Sequence, residues 1–166
     1  MKITNVETFI LKDELSKSFF FSQWEYSERC VCLVKITASD GTIGWGEGYG
    51  PAAVIESGIN LLRPIIINQN PLENEVIWNH MYRKTLDYAR KGVLVASMSA
   101  IDIAIWDLKG KLLGLPVSTL LGGAHRKSIK PYATGLYFTD KENPSKNFEK
   151  EVNDYLQRGF KAIKMK

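Results

Sequence analysis

Cysteine, histidine and long apolar runs are all scarce in this sequence. Only two of its 166 residues are cysteines and two are histidines. No uninterrupted apolar run approaches the roughly 20 residues that a membrane helix requires. The polar start MKITNVETF also lacks the apolar stretch of a signal peptide. We therefore expect a cytoplasmic protein with no membrane partner.

The two cysteines do not predict a disulfide. Cys30 and Cys32 lie two residues apart in an apparent strand, so their side chains share one face and have little freedom to reach disulfide geometry. We expect both to be reduced thiols in the core.

Blocks of like charge are absent as well. The 22 basic residues are interspersed with 18 acidic ones, which leaves a net charge of +4. A nucleic-acid-binding surface usually concentrates its positive charge in a patch or stripe. We therefore do not expect a nucleic-acid partner.

The chain opens with the pattern of an antiparallel meander. Extended segments are predicted at residues 2–12, 29–38 and 42–47, and the last two are joined by Ser39-Asp40-Gly41, where Asp-Gly is a strong hairpin signal. Cys30, Cys32, Val34 and Ile36 are expected to line one face of the middle strand. Helices must cover that face.

Helical periodicity follows the meander. Apolar residues recur at helical spacing from Val54 to Ile66, although Pro64 should bend or end that helix near Arg63. A second helix is indicated around Trp78 and Tyr82. The third, over residues 93–113, is apolar on two sides, which is typical of a helix buried between layers.

The pattern changes after Gly114-Leu115-Pro116. It predicts a short turn to Leu121, a strand near residues 129–134, a helix that Asn143 caps and Gly159 closes, and a second strand over residues 160–166. A strand, helix and strand of this length form a parallel pair with a right-handed crossover. We therefore predict an α+β domain over residues 1–125 and the incomplete start of a parallel sheet over residues 126–166.

Lys164 and Lys166 are the residues with the clearest chemical potential. Residues two apart on a strand point the same way, and this pair lies at the carboxyl-terminal end of its strand, where parallel barrels place active sites. Two crowded ammonium groups disfavour each other's charge, so one lysine becomes a usable general base. The spacing alone equally allows Lys161, Lys164 and Lys166 to form a solvated basic strand end.

Three stretches carry a family resemblance. They are AIDIAIWDLKGKLLGLPVSTLLGG (residues 100–123), GFKAIKMK (159–166) and DGTIGWGEG (40–48). They resemble the mandelate racemase and muconate lactonizing enzyme family of the enolase superfamily. The resemblance implies a capping domain followed by the start of a TIM-like (β/α) barrel, truncated after its second strand.

The resemblance also implies roles for individual residues. Lys166 becomes the base that removes the proton alpha to a carboxylate, and Lys164 becomes its electrostatic partner. Residues 13–25 match a mobile capping loop whose aromatic cluster neither a strand nor a helix period explains, and residues 48–51 match a second loop. The substrate-binding residues implied in this way are Phe20, Ser22, Trp24, Tyr49 and Tyr137.

The chemistry that the resemblance implies depends on Mg²⁺. The family holds this ion with three carboxylates on later barrel strands, so we expect these 166 residues alone neither to bind the metal properly nor to turn over. Asp102 and Asp107 are interpreted as structural helix residues, with Lys111 spaced to pair with Asp107. His80 and His125 match no ligand position.

The implied substrate is a small carboxylate, and the implied assembly is a homo-oligomer. Residues 99–111 and 130–138 look most like galactarolactone cycloisomerases and related sugar-acid dehydratases. Racemisation, cycloisomerisation and elimination of water all remain open.

Two other functions are compatible with parts of the sequence. Gly44, Gly46, Gly48 and Gly50 could cradle a nucleotide phosphate, but that fingerprint requires an acid after a second parallel strand, and Glu73 lies in a polar loop ahead of a helix. A non-catalytic interaction protein that uses only the capping fold is the other alternative.

Overall fold

The structure is a computed structural model that describes residues 1–165, apart from the side chain of Phe21. It divides the chain into two compact units, Met1–Lys12 with Cys30–Ala124, and Asp13–Arg29 with His125–Lys166. Residues 13–29, which the sequence assigned to the first domain, group with the second unit. The domain boundary between residues 125 and 126 stays a prediction.

An antiparallel meander forms the sheet, as the sequence predicted. Its strands β1 (Ile3–Phe21), β2 (Trp24–Ala38) and β3 (Ile43–Gly48) lie in that order. β2 and β3 pair antiparallel from Thr37 opposite Ile43 to Cys32 opposite Gly48. In the turn between them, the backbone N–H of Thr42 donates to the Asp40 carboxylate at 3.0 Å, which helps to set the register.

Four helices follow in the first unit: α1 (Ala52–Ile66), α2 (Asn74–Lys84), α3 (Val93–Leu113) and the short α4 (Val117–Leu120). The core lies between the sheet and α1, α2 and α3, as alternation along β2 and helical periodicity require. Its largest fully buried side chains are Ile3, Ile36, Ile55, Ile59, Leu62, Ile66, Ile77, Met81, Met98, Ile101, Ile105 and Leu108. None of the helices among residues 1–165 is both long and apolar enough to cross a bilayer.

The contact between β3 and α3 is unusually close, because two glycines of the strand face the backbone of the helix. A Cβ atom at Gly44 would overlap the carbonyl oxygen of Ala104, and one at Gly46 would overlap that of Ala100. Ala100 and Ala104 are themselves completely buried. Small residues on both elements therefore allow a backbone-to-backbone approach.

Polar bonds fix the same helix along the strand. The Asp107 carboxylate accepts the backbone N–H of Trp45 at 2.8 Å and pairs with Lys111 at 2.5 Å. The Lys111 ammonium also donates to the carbonyl oxygen of Ile43 at 2.9 Å. The structural role predicted for Asp107 is confirmed, and that of Asp102 stays a prediction.

Two predictions in the first unit need correction. Pro64 does not end α1, which continues to Ile66 because the buried face that includes Leu62 and Ile66 holds the last turn against the core. The alternative, a bend at Pro64, stays a prediction. Cys30 is exposed, whereas Cys32 is buried, and both thiols are free. β2 is longer than predicted, and Cys30 lies on it beyond the part that the helices cover.

The second unit contains the predicted parallel pair. β4 (Ala133–Gly135) and β5 (Ile163–Met165) run parallel with Ala133 opposite Ile163, and α5 (Phe148–Gln157) connects them. β4 starts four residues later than predicted, since Ile129 is exposed and unpaired with any described strand. The cap of α5 is Asn147 rather than Asn143, because residues 144–147 form turns. Gly159 follows the helix with φ of 86°, as its closing role requires.

Replacing Gly46 by alanine should destabilise the protein by about 3 kcal/mol, because the added methyl group overlaps the Ala100 carbonyl in a packed core. Denaturant unfolding measures the loss. Gly122→Ala is the matched control: its Cβ meets nothing within 4 Å, and its φ of 99° alone costs about 1 kcal/mol. Equal losses in the two variants would contradict the close contact.

The two thiols should differ in reactivity toward iodoacetamide. Burial raises the pKa of the Cys32 thiol, and the charge of Glu56 and then Cys30 raises it further. A raised pKa depletes the reactive thiolate at pH 7 to 8, so Cys30 should be alkylated at least about tenfold faster. Mass spectrometry of labelled peptides gives both rates, and Cys30→Ser should remove the fast reaction. Equal rates would contradict the burial of Cys32.

Candidate functional site

The predicted capping loop is a β-hairpin. Strands β1 and β2 extend to Phe21 and Trp24, with Ser22 and Gln23 as the turn. Ser22 has φ of 51°, in the left-handed region that tight hairpin turns use. The residues of the predicted capping loop are therefore extended strand on both sides of a tight turn, and the mobility of this segment stays a prediction. Phe19 and Phe20 follow each other without a strand period because each ring has its own partners.

Phe19 occupies one face of this hairpin. Its ring stacks on Tyr26 of the returning strand at 5.4 Å and meets Tyr137 edge-on at 4.7 Å, both between ring centroids. The guanidinium of Arg29 lies 4.6 Å from the centre of the same ring. These contacts join the hairpin to the segment that follows β4, and each aromatic pair adds stabilisation beyond its buried area.

Phe20, on the other face of the hairpin, contacts Phe138, the residue that follows Tyr137. Its ring stacks on Phe138 with centroids 5.7 Å apart, and its backbone N–H donates to the Phe138 carbonyl at 2.7 Å. The two residues form an isolated antiparallel bridge. The Lys141 ammonium lies 4.5 Å from the Phe20 ring centre. Phe20 and Tyr137, both predicted substrate-binding residues, thus belong to one contact between the hairpin and the strand end.

An open cavity of about 620 Å³ lies beside this contact. It is lined by Lys17, Phe20, Thr139, Asp140, Lys141, Glu142, Lys146 and Asn147. Asp140 organises its wall, since its carboxylate accepts the backbone N–H of Glu142 at 3.0 Å and of Asn143 at 3.2 Å. Hydrogen bonds from Asn143 and Glu142 lower the pKa of Asp140, and Lys146 at 3.6 Å adds to the effect. The carboxylate is therefore ionised at neutral pH and holds the loop.

Lys164 lies in the middle of β5, directly opposite Thr134 of β4. Its side chain is exposed, as is that of Lys161. Two strands enclose no barrel interior, so the inward orientation of the lysine pair stays a prediction. Lys166 lies outside the described residues.

The other predicted site residues are exposed. Ser22 forms the hairpin turn, and Trp24 next to it is 59% exposed. Tyr49 belongs to the first unit, where it follows β3 and is 93% exposed. A tyrosine so exposed does not serve the core, so its substrate-binding role stays a prediction.

Leu136, Glu151 and Tyr155, which the sequence analysis did not propose for a site, form a hydrogen-bonded group at the carboxyl-terminal end of β4. Leu136 adopts a left-handed conformation with φ of 57°. Glu151 of α5 accepts the backbone N–H of Leu136 at 3.0 Å and the Tyr155 hydroxyl at 2.6 Å. A leucine gives no sequence signal for a left-handed turn, and an i to i+4 pair of Glu and Tyr on a helix is too common to be noticed.

The described residues do not fit a magnesium site. Over residues 1–165, no three His, Cys, Asp or Glu side chains lie close enough together to hold a metal ion. Burial, followed by the charge of Glu75, raises the pKa of the half-buried Asp102 carboxyl, and Asp107 is engaged by Trp45 and Lys111. Neither carboxyl group lies among the several further oxygen ligands that a divalent ion requires.

The glycine pattern that suggested a phosphate cradle has a packing explanation. Gly44 and Gly46 face the α3 backbone, and Gly48 faces Ile55 of α1. Their strand pairs antiparallel with β2, whereas the dinucleotide fingerprint needs parallel strands. Glu73 lies directly before α2. The nucleotide-binding interpretation therefore loses its basis.

Comparison with known families gives a match over most of the chain. The model of the mandelate racemase and muconate lactonizing enzyme N-terminal domain matches residues 5–122. This range ends within the turn after α4 and includes the hairpin, all four helices of the first unit and the sheet except the first two residues of β1.

Two relatives are named for reactions of a sugar acid or of its lactone. The D-galactarolactone cycloisomerase of Agrobacterium fabrum is 37% identical over 166 residues, which cover 100% of this chain and 44% of the relative. The arabinonate dehydratase of Saccharolobus solfataricus is 35% identical over 139 residues, 82% of this chain and 37% of the relative. The chain thus spans less than half the length of these relatives.

Solved structures show the same fold. The 3,6-anhydro-D-galactonate cycloisomerase of Zobellia galactanivorans is 48% identical with a TM-score of 0.86, over 99% of this chain and 42% of that structure. A racemase of Streptomyces coelicolor A3(2), solved with bound magnesium, is 28% identical with a TM-score of 0.86, over 98% of this chain and 46% of that structure.

Replacing Phe138 by alanine should loosen the hairpin, because the stack on Phe20 is lost while the backbone bond between the two residues remains possible. We expect the Phe20 amide to exchange its hydrogen about tenfold faster, as measured by NMR or mass spectrometry. Trp24→Ala is the control, since that ring lies on the same hairpin and is 59% exposed. Unchanged exchange in Phe138→Ala would show that the stack does not hold the hairpin.

Proposed function

Because the chain belongs to the mandelate racemase and muconate lactonizing enzyme family, we propose that it is the amino-terminal part of a cycloisomerase that acts on a cyclic sugar acid. The observation that carries this proposal is the 48% identity to a 3,6-anhydro-D-galactonate cycloisomerase across 99% of the chain. The D-galactarolactone cycloisomerase also matches over the whole chain. Both relatives act, by name, on a ring-containing derivative of a six-carbon sugar acid.

Elimination of water from an open-chain sugar acid is the second candidate. The arabinonate dehydratase favours it, at 35% identity over 82% of the chain. The two reactions share their first step, removal of the proton alpha to a carboxylate. They differ in the group that leaves and in where a proton is returned after that step. Both depend on a general acid that residues 1–165 do not identify.

In this proposal Lys166 is the base and Lys164 its electrostatic partner. The neutral amine of Lys166 takes the alpha proton, so an N–H bond forms, the C–H bond breaks, and the electron pair passes into the carboxylate as an enediolate. Lys164, which lies in β5 two residues before Lys166 in the sequence, disfavours the protonated form of Lys166 and so keeps its amine neutral and able to accept a proton. The exposed position of Lys164, in the middle of β5 and one residue before the carboxyl-terminal end of that strand, is compatible with this role.

The hairpin closes over the substrate in this proposal. Its rings at Phe19 and Phe20 contact Tyr137 and Phe138 at the carboxyl-terminal end of β4, next to the strand that carries Lys164. Aromatic side chains at that edge exclude water from a proton-transfer site. Ser22, Trp24 and Tyr49 are the further residues that we propose for contacts with the sugar hydroxyls.

Magnesium dependence is part of the proposal for the whole enzyme. The racemase with bound magnesium supports it. Because the described residues do not fit a metal site, we propose that residues other than these hold the ion. We therefore propose that the 166 residues alone do not catalyse the reaction.

The test is deuterium incorporation by the whole protein with magnesium in deuterated water. The panel consists of 3,6-anhydro-D-galactonate, D-galactarolactone, D-arabinonate and D-galactonate. We expect exchange at the alpha carbon with one of the two cyclic acids. Lys166→Met should lower that exchange by at least about a hundredfold, because general-base catalysis supplies roughly 10²–10⁴-fold and Lys164 cannot replace the base.

Lys161→Ala is the matched control, because this exposed lysine lies three residues before Lys164 and has no proposed role. Circular dichroism confirms the fold of each variant. Exchange that persists in Lys166→Met would remove Lys166 from the role of base. No exchange with any acid in the panel would favour the non-catalytic interaction protein instead.

A further inference from the structure

Leu136 is held in a conformation that its side chain disfavours. Its φ of 57° places it in the left-handed region, where a residue with a Cβ atom carries a steric cost that glycine does not. The side chain is nevertheless only 7% exposed. A leucine stays in that region only when its surroundings impose it.

The carboxylate of Glu151 on α5 holds Leu136 in this conformation. Glu151 Oε1 accepts the Leu136 N–H at 3.0 Å and the Tyr155 O–H at 2.6 Å. At the preceding position, a Cβ atom on Gly135 would overlap both Glu151 and Tyr155, so the helix side chains lie directly against the β4 backbone. The Tyr155 hydroxyl is a donor at neutral pH, as tyrosine hydroxyls ordinarily are, and its hydrogen bond to Glu151 raises its pKa further.

The turn at Leu136 sets the direction of the two residues after it. Tyr137 and Phe138 are the residues that contact the hairpin, through the ring pairs with Phe19 and Phe20 and through the bond from the Phe20 N–H to the Phe138 carbonyl at 2.7 Å. A change of φ at Leu136 would reorient that carbonyl and both rings. The hairpin contact therefore depends on a conformation that Glu151 holds.

We propose that Glu151 is a positioning residue for the hairpin: its carboxylate fixes the left-handed turn at Leu136 and thereby the surface to which Phe19 and Phe20 bind. An effect of Glu151 on substrate binding rests on the proposed function, in which the hairpin covers the substrate. Glu151 itself is not a catalytic residue in this arrangement.

The first measurement is hydrogen exchange at the Phe20 amide in the whole protein. Glu151→Ala should speed it at least about tenfold, because the Leu136 N–H loses a charged acceptor and the turn relaxes. Leu136→Gly in the same background should restore much of the protection, since glycine adopts this φ without help. Leu136→Gly alone gives the baseline for the lost leucine packing, and Glu149→Ala, an exposed glutamate of α5, is the matched control.

The second measurement is steady-state kinetics with the cyclic acid that the whole protein exchanges. Glu151→Ala should raise KM several-fold more than it lowers kcat, and the double variant should reverse that rise. Rescue by a glycine at position 136 is a result that general weakening of α5 would not give.

The two measurements separate the positioning role of Glu151 from the substrate-covering role of the hairpin. If Phe20 exchange in Glu151→Ala matches Glu149→Ala, or if Leu136→Gly fails to rescue it, the positioning role is overturned whatever the activity. If exchange behaves as expected while KM does not change, Glu151 positions the hairpin, and the substrate-covering role of the hairpin in the proposed function is wrong.

Discussion

The first unit depends on the backbone-to-backbone contact between β3 and α3. Gly44 and Gly46 allow the helix to approach until its carbonyl groups fill the space where side chains would lie, and Ala100 and Ala104 complete the fit. Dispersion contacts are strongest at such short separation, so an added methyl group would displace the whole helix rather than one neighbour. Asp107 and Lys111 then fix the position of the helix along the strand.

The second unit follows another principle, in which polar and aromatic contacts replace a large core. α5 has no fully buried residue, and β4 and β5 have three residues each. Order at the strand end comes from a shared carboxylate oxygen on Glu151, from the loop bonds of Asp140 and from ring pairs with the hairpin. Directional contacts of this kind fix geometry more than they add stability, which suits a site where side-chain positions matter.

The sequence predicted the fold class, the meander, the long buried helix and the parallel pair, because each depends on an apolar period or a turn signal that is local. It misjudged features that tertiary contacts decide. Helix α1 runs through Pro64 because its buried face outweighs the local break, and residues 13–25 form a hairpin because rings on both faces find partners. In the candidate site, the family resemblance named Phe20 and Tyr137, and both take part in the contact between the hairpin and the segment after β4, while their substrate-binding role stays a prediction. The strained turn at Leu136 and its acceptor on α5 could not be predicted, since neither leaves a mark in composition or spacing.

Consecutive rings on opposite faces also restrict how the hairpin can change length. Phe19 turns toward Tyr26 and Tyr137, whereas Phe20 turns toward Phe138. Inserting or deleting a single residue in the strand ahead of them would exchange these faces, whereas a change of two would restore them. Relatives of this protein with a longer or shorter hairpin should therefore have gained or lost an even number of residues in each strand. In an alignment of the family, the gaps in this hairpin should be of even length.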